Sequence, residues 1–170
     1  MSYLSRCTFP TPPRNLCDLL LRDVASLIVT SRLVTRTLRA LRPECLFSRE
    51  LTAMLDSILT LSALGESRLH ESVVETGAIL PPAADASAGN LITGLFARLP
   101  TAVAPGVPAS EFAVNLRLLA QHIELKARLA SEEAMLVGQV RLGHALRDCS
   151  ADWRACSQSL RAVATRLPAA

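Results

Sequence analysis

LRDCSADWRACSQSLRAVATRL, residues 146–167, decides the fold. Its apolar members Leu146, Cys149, Trp153, Cys156, Leu160, Val163 and Leu167 recur every three or four residues. That spacing keeps them on one side of a helix, whereas a half-buried strand would alternate its apolar residues every second position. The segment predicts a helix over about 145–167 with a continuous seam for neighbours, closed by Pro168.

Three more stretches carry the same period. Leu20, Val24, Leu27, Val34, Leu38 and Leu41 predict a helix over about 14–42, with Ser31 as the polar member of its stripe. Asn15 or Thr11 can cap it by accepting free backbone amides, and Pro43 stops it. Leu51, Leu55, Ile58, Leu61, Leu64, Leu69 and Val73 predict a second helix over 49–79, with Ser48 as cap, Gly65 loosening its middle and Gly77 at its end. Phe112, Leu116, Leu119, Ile123, Ala127, Ala130, Ala134 and Val137 predict a third over 110–142, ending near Gly143. Leu118, Leu125, Leu129 and Leu136 widen its apolar face beyond a narrow seam, leaving a surface for another subunit.

Between the second and third helices, residues 81–109 hold five of the ten prolines and three glycines around Leu91, Ile92, Leu95, Phe96 and Leu99. This composition predicts a long crossover with a short apolar helix. Residues 1–13, with Pro10, Pro12 and Pro13, predict an extended leader. Two hairpins joined by such a crossover give an all-α four-helix bundle in one domain, of the ferritin-like kind.

At 170 residues and 50% hydrophobic, the chain can build one core without disulfides or metals. One tryptophan, one tyrosine and four phenylalanines make that core aliphatic and provide few stacking platforms for single-stranded nucleic acid. A net charge of +3 is too mild to indicate a nucleic-acid partner. No uninterrupted apolar run reaches a membrane span or resembles a signal peptide, so the chain is expected in the cytoplasm, away from membranes. Five cysteines without a CxxC spacing predict free thiols, with Cys17, Cys149 and Cys156 on apolar stripes and Cys7 and Cys45 in flanking segments.

Catalytic patterns are scarce. No Glu-x-x-His pair precedes His70, His122 or His144, where Ser67, Leu119 and Arg141 stand instead. A di-iron bundle needs that spacing to place both ligands on one helix face. Glu66 with His70, Glu71 with Glu75, and His144 with Asp148 stand four apart, a spacing common on solvated helix faces. Arg32, Arg36, Arg39 and Arg42 likewise read as a solvated face. Glu124 lies near the apolar face of the third helix, where it is either a ligand or a boundary carboxylate reaching water. Nucleophile elbows, phosphate loops and H-E-x-x-H motifs do not occur.

N15-L-C-D-L-L-L-R-D-V-A-S-L and Q121-H-I-E124 resemble segments of the YciE/YciF-type ferritin-like proteins, which open their first helix on Asn-Leu-x-Asp-Leu and carry Gln-x-Val-Glu in the third. The resemblance covers most of residues 14–165 in element order. It implies a bundle able to hold two metals and associated with bacterial stress responses. Leu125 stands where the family's pattern leads to a histidine, and Ile58, Thr60 and Leu61 replace residues of its metal-binding helix. Glu124, and loosely Asp23, are the metal-ligand candidates that carry over. The expected protein is therefore non-catalytic and without a cofactor, a homodimer with a structural or interaction role. An iron or other di-metal oxidase or store with an atypical site, and a binder of apolar ligands, are the alternatives.

Overall fold

The structure is a computed structural model that describes residues 15–41, 49–81 and 109–167. The described residues form an all-α four-helix bundle: α1 (Leu16–Leu41), α2 (Arg49–Thr76), α3 (Ala109–Leu136) and α4 (Val140–Ala164). The leader, the crossover between 82 and 108, Ser48, Cys7 and Cys45 lie outside the described residues.

Helix α1 starts where the Asn15 side chain accepts the Asp18 backbone N–H at 2.9 Å, satisfying one of the four amides that a helix N-terminus leaves unpaired. Asp18 in its first turn and Arg39 in its last both oppose the charge of the helix ends. Helix α2 ends at Gly77, whose φ of 66° suits the left-handed cap that a side chain disfavours. It passes through Gly65 without a break.

The mid-section of α2 departs from the apolar reading. Leu64 is 45% exposed and Leu61 is half-buried, while Ser62 and Gly65 are buried. The seam therefore steps through Leu51, Leu55, Ile58, Ser62, Gly65, Leu69 and Val73. A Cβ added at Gly65 would lie 3.6 Å from Cys149 Sγ, so this small residue marks where α2 and α4 come close.

The α3–α4 turn also differs from the expected boundary at Gly143. Helix α3 stops at Leu136 and Gly138 makes the reversal with φ 78°. The Gly138 N–H donates to the Met135 carbonyl at 3.2 Å and the Gln139 N–H to that of Ala134 at 2.8 Å, the paired bonds of a Schellman cap. Gly143 instead lies buried within α4, where an added Cβ would meet Met135 Sδ at 2.8 Å. Beside it, the buried Ser131 hydroxyl donates to the Gly143 carbonyl at 2.8 Å.

Each helix packs on two neighbours: α1 on α2 and α3, and α4 on α2 and α3. Arg141 of α4 reaches Glu75 near the end of α2, and Arg68 reaches Asp152 further along, so these helices are antiparallel. Lys126 Nζ donates to Ser26 Oγ at 2.9 Å and Glu133 lies beside Asp23, which makes α1 and α3 antiparallel as well. With the tight α3–α4 hairpin, these directions leave α2 and α3 parallel. The ends of α2 and α3 that are consecutive in the chain thus lie at opposite ends of the bundle.

Trp153, Leu20, Leu27, Leu51, Ile58, Leu69, Leu116 and Ile123 are among the most deeply buried side chains. Fully burying one such aliphatic chain contributes about 1.5–3 kcal/mol. Helix α3 meets its neighbours through Ala113, Ala120, Ala127, Ala130 and Ala134, all 0% exposed. Short side chains there let α4 approach closely.

Candidate functional site

Glu124 and Asp23 occupy different surroundings. Glu124 Oε1 accepts a hydrogen bond from Arg154 Nε at 2.9 Å, and its side chain keeps 21% of its surface exposed. That arginine comes from α4, thirty residues on in the chain, and commits the carboxylate to an ion pair at the edge of the α3–α4 interface. Asp23, half-buried on α1, lies close enough to Glu133 of α3 to act on it electrostatically. Burial first, and then the Asp23 charge, push the Glu133 carboxyl above its ordinary range. Sequence spacing gave Glu133 no distinction; only the antiparallel register of α1 and α3 brings it to Asp23.

The acid and histidine pairs spaced by four are spread over exposed helix faces. Glu66 pairs with Arg32, Glu71 accepts from Ser67 at 2.8 Å, and Glu75 pairs with Arg141 at 3.2 Å. His70, His144 and Asp148 are exposed. Among the described residues no three His, Cys, Asp or Glu side chains converge on one point. Of the two transferred ligand candidates, Glu124 faces the Arg154 guanidinium, while Asp23 lies on a different helix, near Glu133.

The cysteines divide. Cys149 and Cys156 are buried on α4, and burial pushes each thiol from 9.0 up to about 11. The nearby Asp152 charge adds to the effect at Cys149. Thiolate chemistry is disfavoured there. Cys17 is exposed instead of extending the buried stripe of α1, since it lies in the first turn, one turn beyond the last core residue Leu20.

Two surface grooves lie between helices. One of about 770 Å³ between α3 and α4 has Arg128, Arg147 and Arg154 around Met135, Leu136 and Ala151. Another of about 510 Å³ between α2 and α4 is lined by Met54, Leu61 and Cys156 with Asp56 and Asp152. Among the described residues no helix is long and apolar enough to cross a membrane.

The outer face of α3 is the most distinctive surface. Leu118 is 52% exposed, Leu125 46%, Leu129 45% and Leu136 77%, and Val114 extends the row at 44%. Leu118 and Leu136 are about five helical turns apart, so they share one side, with Val114, Leu125 and Leu129 within about 40° of it. This side is diametrically opposite Ala127 in the core. Together these leucines and Val114 form a row of large apolar residues along the outward side of α3. Comparison of the chain with protein-family models, curated proteins and solved structures yields no match.

Proposed function

We propose that this chain is a non-catalytic bundle of the YciE/YciF ferritin-like type that lacks a working metal centre and serves a structural or interaction role through the outer face of α3. The exposed row Val114, Leu118, Leu125, Leu129 and Leu136 carries this reading, because among the described residues nothing buries that side of α3. The parallel course of α2 and α3 supports the ferritin-like part, as such bundles join two hairpins through one long connection. The ion pair of Glu124 with Arg154 supports the absence of a ligand set. A bacterial cytoplasmic setting, linked to stress, belongs to the same proposal through the family resemblance.

Metal analysis tests it. Protein expressed in iron-rich medium and desalted is expected to hold far less than one iron, zinc or manganese per chain. Two metal ions per chain, lost on Glu124→Gln, would overturn the proposal in favour of an oxidase or storage protein.

A further inference from the structure

The register of α3 against α4 sorts the groove between them into a cationic half and an apolar half. Glu124 stands level with Arg154, and Met135 with Gly143. Stepping along this antiparallel pair puts Arg128 level with Ser150, and Arg147 level with Ser131. Arg128 of α3 and Arg147 of α4 therefore line the groove from opposite sides within one helical turn of each other. Met135 and Leu136 follow about 10 Å further along, next to the α3–α4 turn, with Ala151 between the two halves.

The charges are not all spoken for. Arg154 is held by Glu124. Among the described residues no ion pair joins Arg128 or Arg147, and Glu132 at the groove's margin is likewise unpaired. Three arginines against Glu124 and Glu132 leave one net positive charge, which suits a singly charged anion. The groove between α2 and α4 has apolar residues of the same kind, Met54, Leu61 and Cys156, but Asp56 and Asp152 in place of arginines. An anionic ligand thus distinguishes the two grooves by charge alone.

We propose that the α3–α4 groove binds the anion of a medium- to long-chain fatty acid, its carboxylate between Arg128 and Arg147 and its tail over Ala151, Met135 and Leu136 towards the turn. A guanidinium presents its donors in a planar fork that matches a carboxylate. The unbranched, adaptable Met135 side chain suits a flexible aliphatic tail. The groove's volume of about 770 Å³ falls within the range of small-molecule sites. This site needs no partner protein, so it stands or falls apart from the role proposed for the outer face of α3.

Calorimetric titration of the full chain with dodecanoate, below its micelle-forming concentration, reads the binding. One dodecanoate per chain is expected, with Kd of tens to hundreds of micromolar, the strength that an open groove and about 14 non-hydrogen atoms allow. Octanoate is expected to bind at least about tenfold more weakly, since each half-buried methylene is worth about twofold. Arg128→Gln/Arg147→Gln is expected to weaken dodecanoate at least about tenfold, the scale of losing its charged hydrogen-bond partners. Ala151→Glu, which puts a carboxylate in the middle of the groove, is expected to abolish binding. Arg36→Gln/Arg39→Gln makes the same change in net charge at exposed α1 positions and is expected to leave the affinity unchanged. Many dodecanoates per chain, octanoate as tight as dodecanoate, or an affinity that the groove arginines do not move or the α1 pair moves equally would each overturn the proposal. So would binding to phosphatidylglycerol vesicles without binding to monomeric dodecanoate, which would assign the arginines to a membrane surface. Circular dichroism keeps unfolded variants out of the comparison, and Ala151→Glu decides if the double arginine variant does not fold.

Discussion

Ser62 and Ser131 offer an opposed pair of substitutions whose signs follow from their hydrogen bonds. Both serines are buried in helices, at 0% and 5% exposure. Among the described residues the Ser62 hydroxyl has no hydrogen-bond partner, whereas that of Ser131 donates to the Gly143 carbonyl across the α3–α4 interface. Replacing either by alanine improves helix propensity by about 0.5 kcal/mol. At Ser62 it also removes an unsatisfied buried hydroxyl, a relief of about 1 kcal/mol, so Ser62→Ala is expected to stabilise by about 1.5 kcal/mol. At Ser131 it removes a bond of about 1 kcal/mol, leaving a net loss of about 0.5 kcal/mol. The difference of about 2 kcal/mol corresponds to about 4–8 °C in Tm for a chain of this size. Urea titration followed by Trp153 fluorescence, checked by calorimetry, measures both variants. A destabilised Ser62→Ala, or two variants that move together, would refute the reasoning by showing that the Ser62 hydroxyl does find a partner.

Gly65→Ala is expected to stabilise by about 0.5–1 kcal/mol in urea melts, because its Cβ would meet Cys149 Sγ at an ordinary contact distance and the unfolded chain loses freedom. Cys149 and Cys156, with thiols raised from 9.0 to about 11, stabilise the fold fully below about pH 9 and less as pH rises towards 11. The Cys149→Ala/Cys156→Ala variant should therefore lose less stability than wild type over that window, and peptide mapping at pH 8 should find Cys17 alkylated well before either buried thiol. Glu124→Gln breaks a partly exposed pair with Arg154, so its cost in thermal melts should stay within about 1 kcal/mol; a loss several times larger would mean that the carboxylate does more than hold that arginine.

Periodicity made the helices and most seam residues legible. Phe112, Leu116, Leu119, Ile123, Ala127, Ala130 and Ala134 are all buried, and so is Ser31 within the α1 stripe. The misread positions have a common cause. Hydropathy favours Leu61 and Leu64 for the α2 core, but the three-four step selects Ser62 and Gly65, because backbone approach to α4 demands small residues there. Gly138 and Gly143 are equally plausible helix ends in one dimension; φ assigns the turn to Gly138, and contact with Met135 assigns Gly143 to packing. The Glu124–Arg154 and Asp23–Glu133 relations depend on the register between helices, which period along one helix does not determine.

Helix α3 buries five alanines together with Phe112, Leu116, Leu119 and Ile123, and leaves Leu118, Leu125, Leu129 and Leu136 on its outward side. The inward residues already fill the core, so the outer leucines are not expected to be required for folding the monomer. Leu125→Gln/Leu129→Gln changes two residues that are 46% and 45% exposed and lie outside the core, and surface changes of this kind stay within about 0.5 kcal/mol each. At submicromolar concentration its Tm should match wild type within a few degrees. A variant that is markedly unstable even at low concentration would show that the leucines belong to the monomer's own structure.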